Sequence, residues 1–317
     1  MDNSVQTGLN IRMFEPVIKV IDLIPGDVQP LTVIQSECLS EAQFWEQYVC
    51  RHTPVLIKGA VAAWPAVECW QRPGYLESLC GHETVTLLST FNAHPPISNP
   101  THEQQPLLKS IAAIRAASEN QTLSVPGMAV PQKWLGDIGE YPFLQKHDRP
   151  PLGYPRRRMF FYKNASTEWH YHQLDETLTC QLVGSKRISL FRLTRANWST
   201  FAPLIKANYH HMRCAERFFA TDTRLTKYEG IIESGDAIYI PPFWWHGVDS
   251  VDSSPGITLA HCFRSPLRRF GDWQDPVTRE LVADALRFSK VRLVPLLTLI
   301  FLSSVIRTVR QEGWMPA

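Results

Sequence analysis

Between Thr167 and Asp175 the chain reads TEWHYHQLD, a short stretch with two histidines and a carboxylate. Side chains on a strand alternate between its faces, so His170 and His172 point the same way and can grip one ion. Asp175 is a second candidate partner for the same ion. Well downstream, GDAIYIPPFWWH carries a β-type apolar run through two prolines to His246. Two neighbouring ligands and one distant ligand on a β-scaffold match the facial arrangement of non-haem Fe(II) oxygenases. That arrangement keeps coordination positions open for a co-substrate and O₂. His52, His82, His94, His102, His147 and the tandem His210-His211 lack such flanking patterns and read as ordinary core or surface residues.

These histidines need a β-scaffold, and the sequence contains one. Short apolar, β-branched runs at Met159–Tyr162, Thr177–Val183, Arg187–Leu193, Tyr228–Ile232, Ala237–Ile240 and Gly256–Cys262 are separated by turn residues, as in a barrel or sandwich. Upstream, Leu39–Cys50 predicts an amphipathic helix capped at Ser40, and Pro54–Lys58 a strand closed by Gly59. Tyr75–Cys80 and Leu107–Ala117 predict helices, and Thr84–Leu88 a strand. Asn92–Pro106 and Pro126–Pro151 read as irregular, proline-bearing stretches. After Pro266 the pattern turns helical, with Pro276–Phe288 and Val291–Arg310 as candidates.

The chain has 317 residues, enough for a full core. Its 44 % hydrophobic content excludes a disordered chain, and a net charge of +2 gives no global reason to expect nucleic-acid or membrane binding. Seven widely spaced cysteines without a CxxC argue against a disulfide framework or zinc ribbon, and point to a reducing compartment. The first residues show no basic stretch followed by an apolar run, so no secretory signal is read and a cytoplasmic location is expected. The apolar run between Arg292 and Arg307 falls short of the roughly 20 residues that span a bilayer. It is expected to be a buried or interface helix.

Three blocks carry a family resemblance. Thr53–Pro65 is TPVLIKGAVAAWP, Thr167–Phe191 is TEWHYHQLDETLTCQLVGSKRISLF, and Gly235–Val248 is GDAIYIPPFWWHGV. They are similar to the corresponding blocks of the JmjC, or cupin-like, 2-oxoglutarate- and Fe(II)-dependent oxygenases, and closest in kind to the small asparaginyl-hydroxylase-like cupins. The resemblance implies a mainly β fold with α additions: a double-stranded β-helix (jelly-roll) core, N-terminal α/β additions and C-terminal helices. It implies Fe(II), 2-oxoglutarate and O₂ as cofactor and co-substrates. His170 matches the proximal iron histidine and His246 the distal one. Thr167, three before His170, matches a co-substrate threonine, and Lys186 matches the lysine that pairs with the distal carboxylate of 2-oxoglutarate. An ammonium there is physically apt, because a carboxylate inside a barrel needs a charged partner. Thr177 stands where the family has Asn, and His261 where relatives often have Asn near the iron. Trp169, Trp244 and Trp245 would wall the pocket.

The chain departs from the family two residues after His170, where the usual Asp or Glu is His172. The turn that follows holds one extra residue and ends at Asp175. Three readings stay open: a His170–His172–His246 site, a remodelled turn bringing Asp175 to the metal as the third ligand, or a site without the usual chemistry. The function expected is hydroxylation of an unidentified peptide, protein or small molecule. Its rival is a catalytically altered metal-binding cupin acting as a binding module. An oxygenase that does not use 2-oxoglutarate would leave Lys186 without a carboxylate to meet. Arg156–Arg158 and the Arg-rich stretch after 264 could face an acidic partner or simply be solvated. The expected organisation is an N-terminal α/β segment over 1–105, a JmjC/cupin core over 106–265, and a helical region over 266–317 that could form a homodimer.

Overall fold

The computed structural model describes residues 19–89, 102–172, 175–192 and 225–266, with residues 294, 298, 301, 302 and 305 beyond them. The first strands are β1 (Asp27–Pro30), β2 (Val33–Gln35) and β3 (Val55–Lys58). Ser40 opens the first longer helix as a capping box: its hydroxyl accepts from Gln43 N–H, and the Gln43 side chain returns to Ser40 N–H. The helix Glu41–Gln43 then widens into a π-type turn, Phe44–Val49, which buries Phe44, Tyr48 and Val49. Short helices follow at Pro65–Cys69 and Tyr75–Leu79, and a longer one at Leu107–Ala116.

Next come β4 (Thr84–Leu88), β5 (His102–Pro106) and β6 (Leu123–Ala129). Two of these occupy stretches expected to be irregular. β6 accepts Pro126 and Gly127 because they sit at a bulge: the register to the next strand shifts between Val125 and Met128, and Gly127 has φ +60°. β5 is polar in sequence and forms by pairing with β4, Thr84 opposite Pro106.

The remaining strands are β7 (Arg157–Lys163), β8 (Ser166–His170), β9 (Asp175–Val183), β10 (Lys186–Arg192), β11 (Thr226–Ile232), β12 (Ala237–Ile240), β13 (Trp244–Ser250) and β14 (Pro255–Arg264). They form a jelly-roll of two sheets. One has the order β1-β11-β10-β13-β8 and the other β2-β3-β12-β9-β14-β7-β6-β4-β5. Ile188, Leu190, Trp244 and Val248 of the first sheet pack between the layers against Leu56, Ile238 and Ile240 of the second. The outer face of the larger sheet carries a second core, in which Leu178, Cys180, Tyr239 and Phe263 meet Phe44, Trp64, Trp134 and Tyr141. The central strands β9, β12 and β14 of the larger sheet are therefore buried on both faces, and the alternation of their side chains decides which of them see the barrel interior.

The segment 1–105 supplies strands to both sheets. β1 runs parallel to β11, and β3 antiparallel to β12. Pro276–Phe288 lies outside the described residues. Within Val291–Arg310, the described residues 294, 298, 301, 302 and 305 are helical.

Candidate metal centre

His170 ends β8, and β8 pairs antiparallel with β13 so that His246 lies directly opposite it. This pairing is how the distant segment meets the first. The turn before β13 is tight: Trp244 N–H donates to Pro241 carbonyl, and Phe243 adopts φ +62°, an unusual conformation for a bulky residue. Phe243 N–H donates to the carbonyl of His172 at 2.8 Å, which ties the His246 turn to the residue just beyond β8. The three imidazoles converge. Ring centroids are 4.1 Å apart for His170–His246, 4.9 Å for His172–His246 and 5.3 Å for His170–His172. One nitrogen from each lies within 4.8 Å of the other two.

Hydrogen bonds orient these rings. His170 Nδ1 is 2.7 Å from Glu168 carbonyl, and His246 Nδ1 is 2.9 Å from Trp244 carbonyl. A carbonyl only accepts, so in the neutral rings Nδ1 carries the proton and Nε2 the lone pair. This outer-shell pattern commonly fixes metal-ligating histidines. His172 Nδ1 is held by Thr177 Oγ1 at 2.9 Å. Three neutral nitrogens at this spacing suit a divalent transition ion, and among the described residues no carboxylate belongs to the cluster.

Asp175 is engaged elsewhere. Its carboxylate accepts from the backbone N–H groups of Leu152, Gly153 and Tyr154 at 2.6, 2.7 and 3.0 Å, which pins the loop before β7. These bonds hold the acid under that loop, and among the described residues the converging ligand atoms are those of His170, His172 and His246.

The other expected site residues divide by strand face. Thr167 lies opposite Val248, an interior residue, because the β8–β13 register shifts between His246 and Val248. Without that bulge, a residue three before His170 would face the other side. Lys186 lies opposite Ser250 and so shares a face with His246, four residues along β13. Its ammonium is buried, and no carboxylate pairs with it among the described residues. It sits 3.9 Å from the centroid of the Tyr162 ring, and burial pushes its pKa down to about 7. Tyr162 lies across Gly256, where any Cβ would come within 2.1 Å of the ring. Its hydroxyl meets Gln181, which also binds Thr258.

Three expectations are corrected by alternation. His261 does not face the interior. It pairs with Leu178, a residue of the outer core, and contacts Asp148 at 2.9 Å and the Tyr141 ring. Cys262, its neighbour, faces inward beside Thr177. Trp169 and Trp245 also lie outside, packed with Phe191 and Tyr171, and only Trp244 of the three tryptophans faces the interior. The Arg156–Arg158 run is no common basic face: Arg156 pairs with Asp148, Arg157 reaches Glu140 at 3.5 Å, and Arg158 enters the barrel. Sequence reasoning missed Tyr162 and Arg158 as interior residues. The signal was available, since period-two counting on β7 puts 158, 160 and 162 on one face.

Comparison with known proteins agrees with this architecture. Residues 41–266 match the family described as the cupin-like domain. The chain is 24 % identical over 248 residues to the lysine-specific demethylase JMJ30 of Arabidopsis thaliana, covering 70 % of this chain and 52 % of that protein. It is 23 % identical over 293 residues to the Jumonji C domain-containing protein 5 of Drosophila melanogaster, covering 79 % and 64 %. The chain thus spans less than two thirds of the length of either relative. With its paired sheets and its histidines on facing strands of the interior, the chain belongs to the cupin-like, JmjC-type family.

Proposed function

We propose that the protein is a 2-oxoglutarate- and Fe(II)-dependent oxygenase that hydroxylates a peptide, protein or small-molecule substrate. The observation that carries this reading is one interior face bearing both the three convergent imidazoles and a buried ammonium that no carboxylate among the described residues pairs with. His170, His172 and His246 would hold the ion, with Thr177 fixing the His172 ring. Lys186 would receive the distal carboxylate of 2-oxoglutarate, with Thr167 and Tyr162 lining the way. The iron would supply O₂ activation coupled to oxidative decarboxylation of 2-oxoglutarate. The chain's own part is orientation and exclusion of water, since Val248, Ile188 and Leu190 line the path from His246 to Lys186 and Trp244 closes it beyond His246. A cytoplasmic location belongs to the same reading. No helix among the described residues is long and apolar enough to cross a membrane.

That the cluster found among the described residues is three histidines, with His172 where the family has an acid, favours a second reading, a metal-binding cupin that recognises a partner without turnover. Succinate formation separates the two. Anaerobically iron-loaded protein given 2-oxoglutarate and then O₂ should release succinate, slowly without the substrate and faster with it. No succinate above a metal-free control, from protein that binds both iron and 2-oxoglutarate, assigns the binding role.

A further inference from the structure

Arg158 is an interior cation that the proposed reaction leaves unused. It lies on β7 opposite Ala260 of β14, on the same face as Phe160 and Tyr162. Its guanidinium sits over the Tyr154 ring at 4.7 Å and the Phe160 ring at 5.9 Å, and Nη2 is 3.9 Å from Cys262 Sγ. No carboxylate pairs with it among the described residues, and its buried Nε has no hydrogen-bond partner there. Unpaired cations on an interior face are costly, and two ring faces only partly offset the loss of water. Its neighbours lead straight to the histidine cluster. Tyr154 also meets the His172 ring at 5.2 Å, and Cys262 contacts Thr177, which holds His172 Nδ1.

Among the described residues two cations thus meet β7's inward face: Lys186, from β10, over Tyr162, and Arg158, four residues before Tyr162 and about 13 Å along the strand. A single five-carbon diacid chelating the ion through one end and reaching Lys186 with the other has no group left for Arg158. Arg158 is half-buried, so a ligand entering from solvent can reach it. We infer that Arg158 is the substrate-recognition residue of this site and takes an oxyanion, a carboxylate or a phosphate, of the molecule to be oxidised. A guanidinium presents two parallel donors that match either group, and the Tyr154 and Phe160 rings lie beside it. The inference rests on the proposed metal and co-substrate roles for the adjoining residues.

The test uses Mn(II) as a paramagnetic stand-in for iron, with benzoate and inorganic phosphate as probes. Wild-type protein loaded with Mn(II) and 2-oxoglutarate is titrated with each probe while ¹H or ³¹P relaxation is followed. Saturable relaxation enhancement is expected for at least one probe, and the stronger one identifies carboxylate or phosphate. Arg158→Gln should weaken that probe at least tenfold and Arg158→Lys by less, while both variants keep wild-type affinity for Mn(II) and 2-oxoglutarate. Equal probe binding in Arg158→Gln, or no saturable enhancement by either probe in loaded wild type, overturns the assignment. Loss of 2-oxoglutarate affinity in Arg158→Gln overturns it too, by giving the guanidinium to the co-substrate. If wild type holds neither Mn(II) nor 2-oxoglutarate, the proposed function fails instead. Calorimetry of the probes on metal-free wild type and Arg158→Gln then decides Arg158 separately, a tenfold difference supporting it and equality overturning it.

Discussion

The proposed role of Lys186 would tie co-substrate binding to pH. Burial lowers its pKa to about 7 in the unliganded fold, and an arriving carboxylate would raise it again. Binding should therefore take up a proton above pH 7, and 2-oxoglutarate affinity should fall by up to tenfold per pH unit there and stay flat below. Calorimetry at pH 8 in two buffers of different ionisation enthalpy measures the uptake, and its absence removes Lys186 from the site. The sign for folding follows the same logic. The unfolded lysine titrates near 10.5, so the unfolded chain binds more protons between 7 and 10.5 and the free protein gains stability as pH rises through that window. Lys186→Ala should weaken 2-oxoglutarate by about 10- to 150-fold, the value of a charge-assisted bond of about 1.5–3 kcal/mol, while sparing Mn(II) affinity. The third ligand is equally open to test. His172→Ala should cost at least tenfold in metal affinity. Asp175→Ala should leave metal affinity nearly unchanged but lower the melting temperature, since three backbone N–H groups lose a carboxylate worth about 1–3 kcal/mol in total. A His172→Ala protein that holds metal as well as wild type would exclude His172.

At the scale of elements, function depends on ladders whose register is set across strands. Gly256 on β14 leaves room for Tyr162 on β7, and Tyr162 in turn lies beneath Lys186. Gly256→Ala should force the ring aside, destabilise by about 1–3 kcal/mol through overpacking, and weaken 2-oxoglutarate in parallel. Unchanged affinity with a lowered melting temperature would confine Tyr162 to a packing role. The same ladders show what could be read beforehand. His170, His172 and His246 stood out in the sequence because short motifs surround them, and the β-runs around them were legible from their apolar, β-branched composition. The face of β14 was not legible. His261 and Cys262 are adjacent, a one-residue choice inverts inside and outside, and only the pairing of Cys262 with Thr177 decides it. The bulge that turns Thr167 inward exists through a strand far along the chain, and the polar strand β5 through its pairing with β4, so neither leaves a trace in its own residues.

At the scale of the molecule, Val294, Phe301, Leu302 and Val305 are helical and exposed, Phe301 at 67 %. They recur at the spacing of one helix face. The expected homodimer through the C-terminal region would cover them. Sedimentation at micromolar concentration should give a dimer for the full chain and a monomer for Phe301→Glu/Leu302→Glu, and a monomeric wild type would exclude the interface. The joining of the two ends of the jelly-roll has a further consequence in time. β3 pairs with β12 about 180 residues later, and Asp249 accepts from Val20 and Ile21 N–H. During synthesis at roughly 5–20 residues per second, Val55, Leu56 and Ile57 emerge roughly 10–35 s before their antiparallel neighbour exists. The histidine cluster cannot assemble until that wait ends, so the nascent chain passes through a long interval in which an apolar strand lacks its antiparallel neighbour and the three imidazoles have not met.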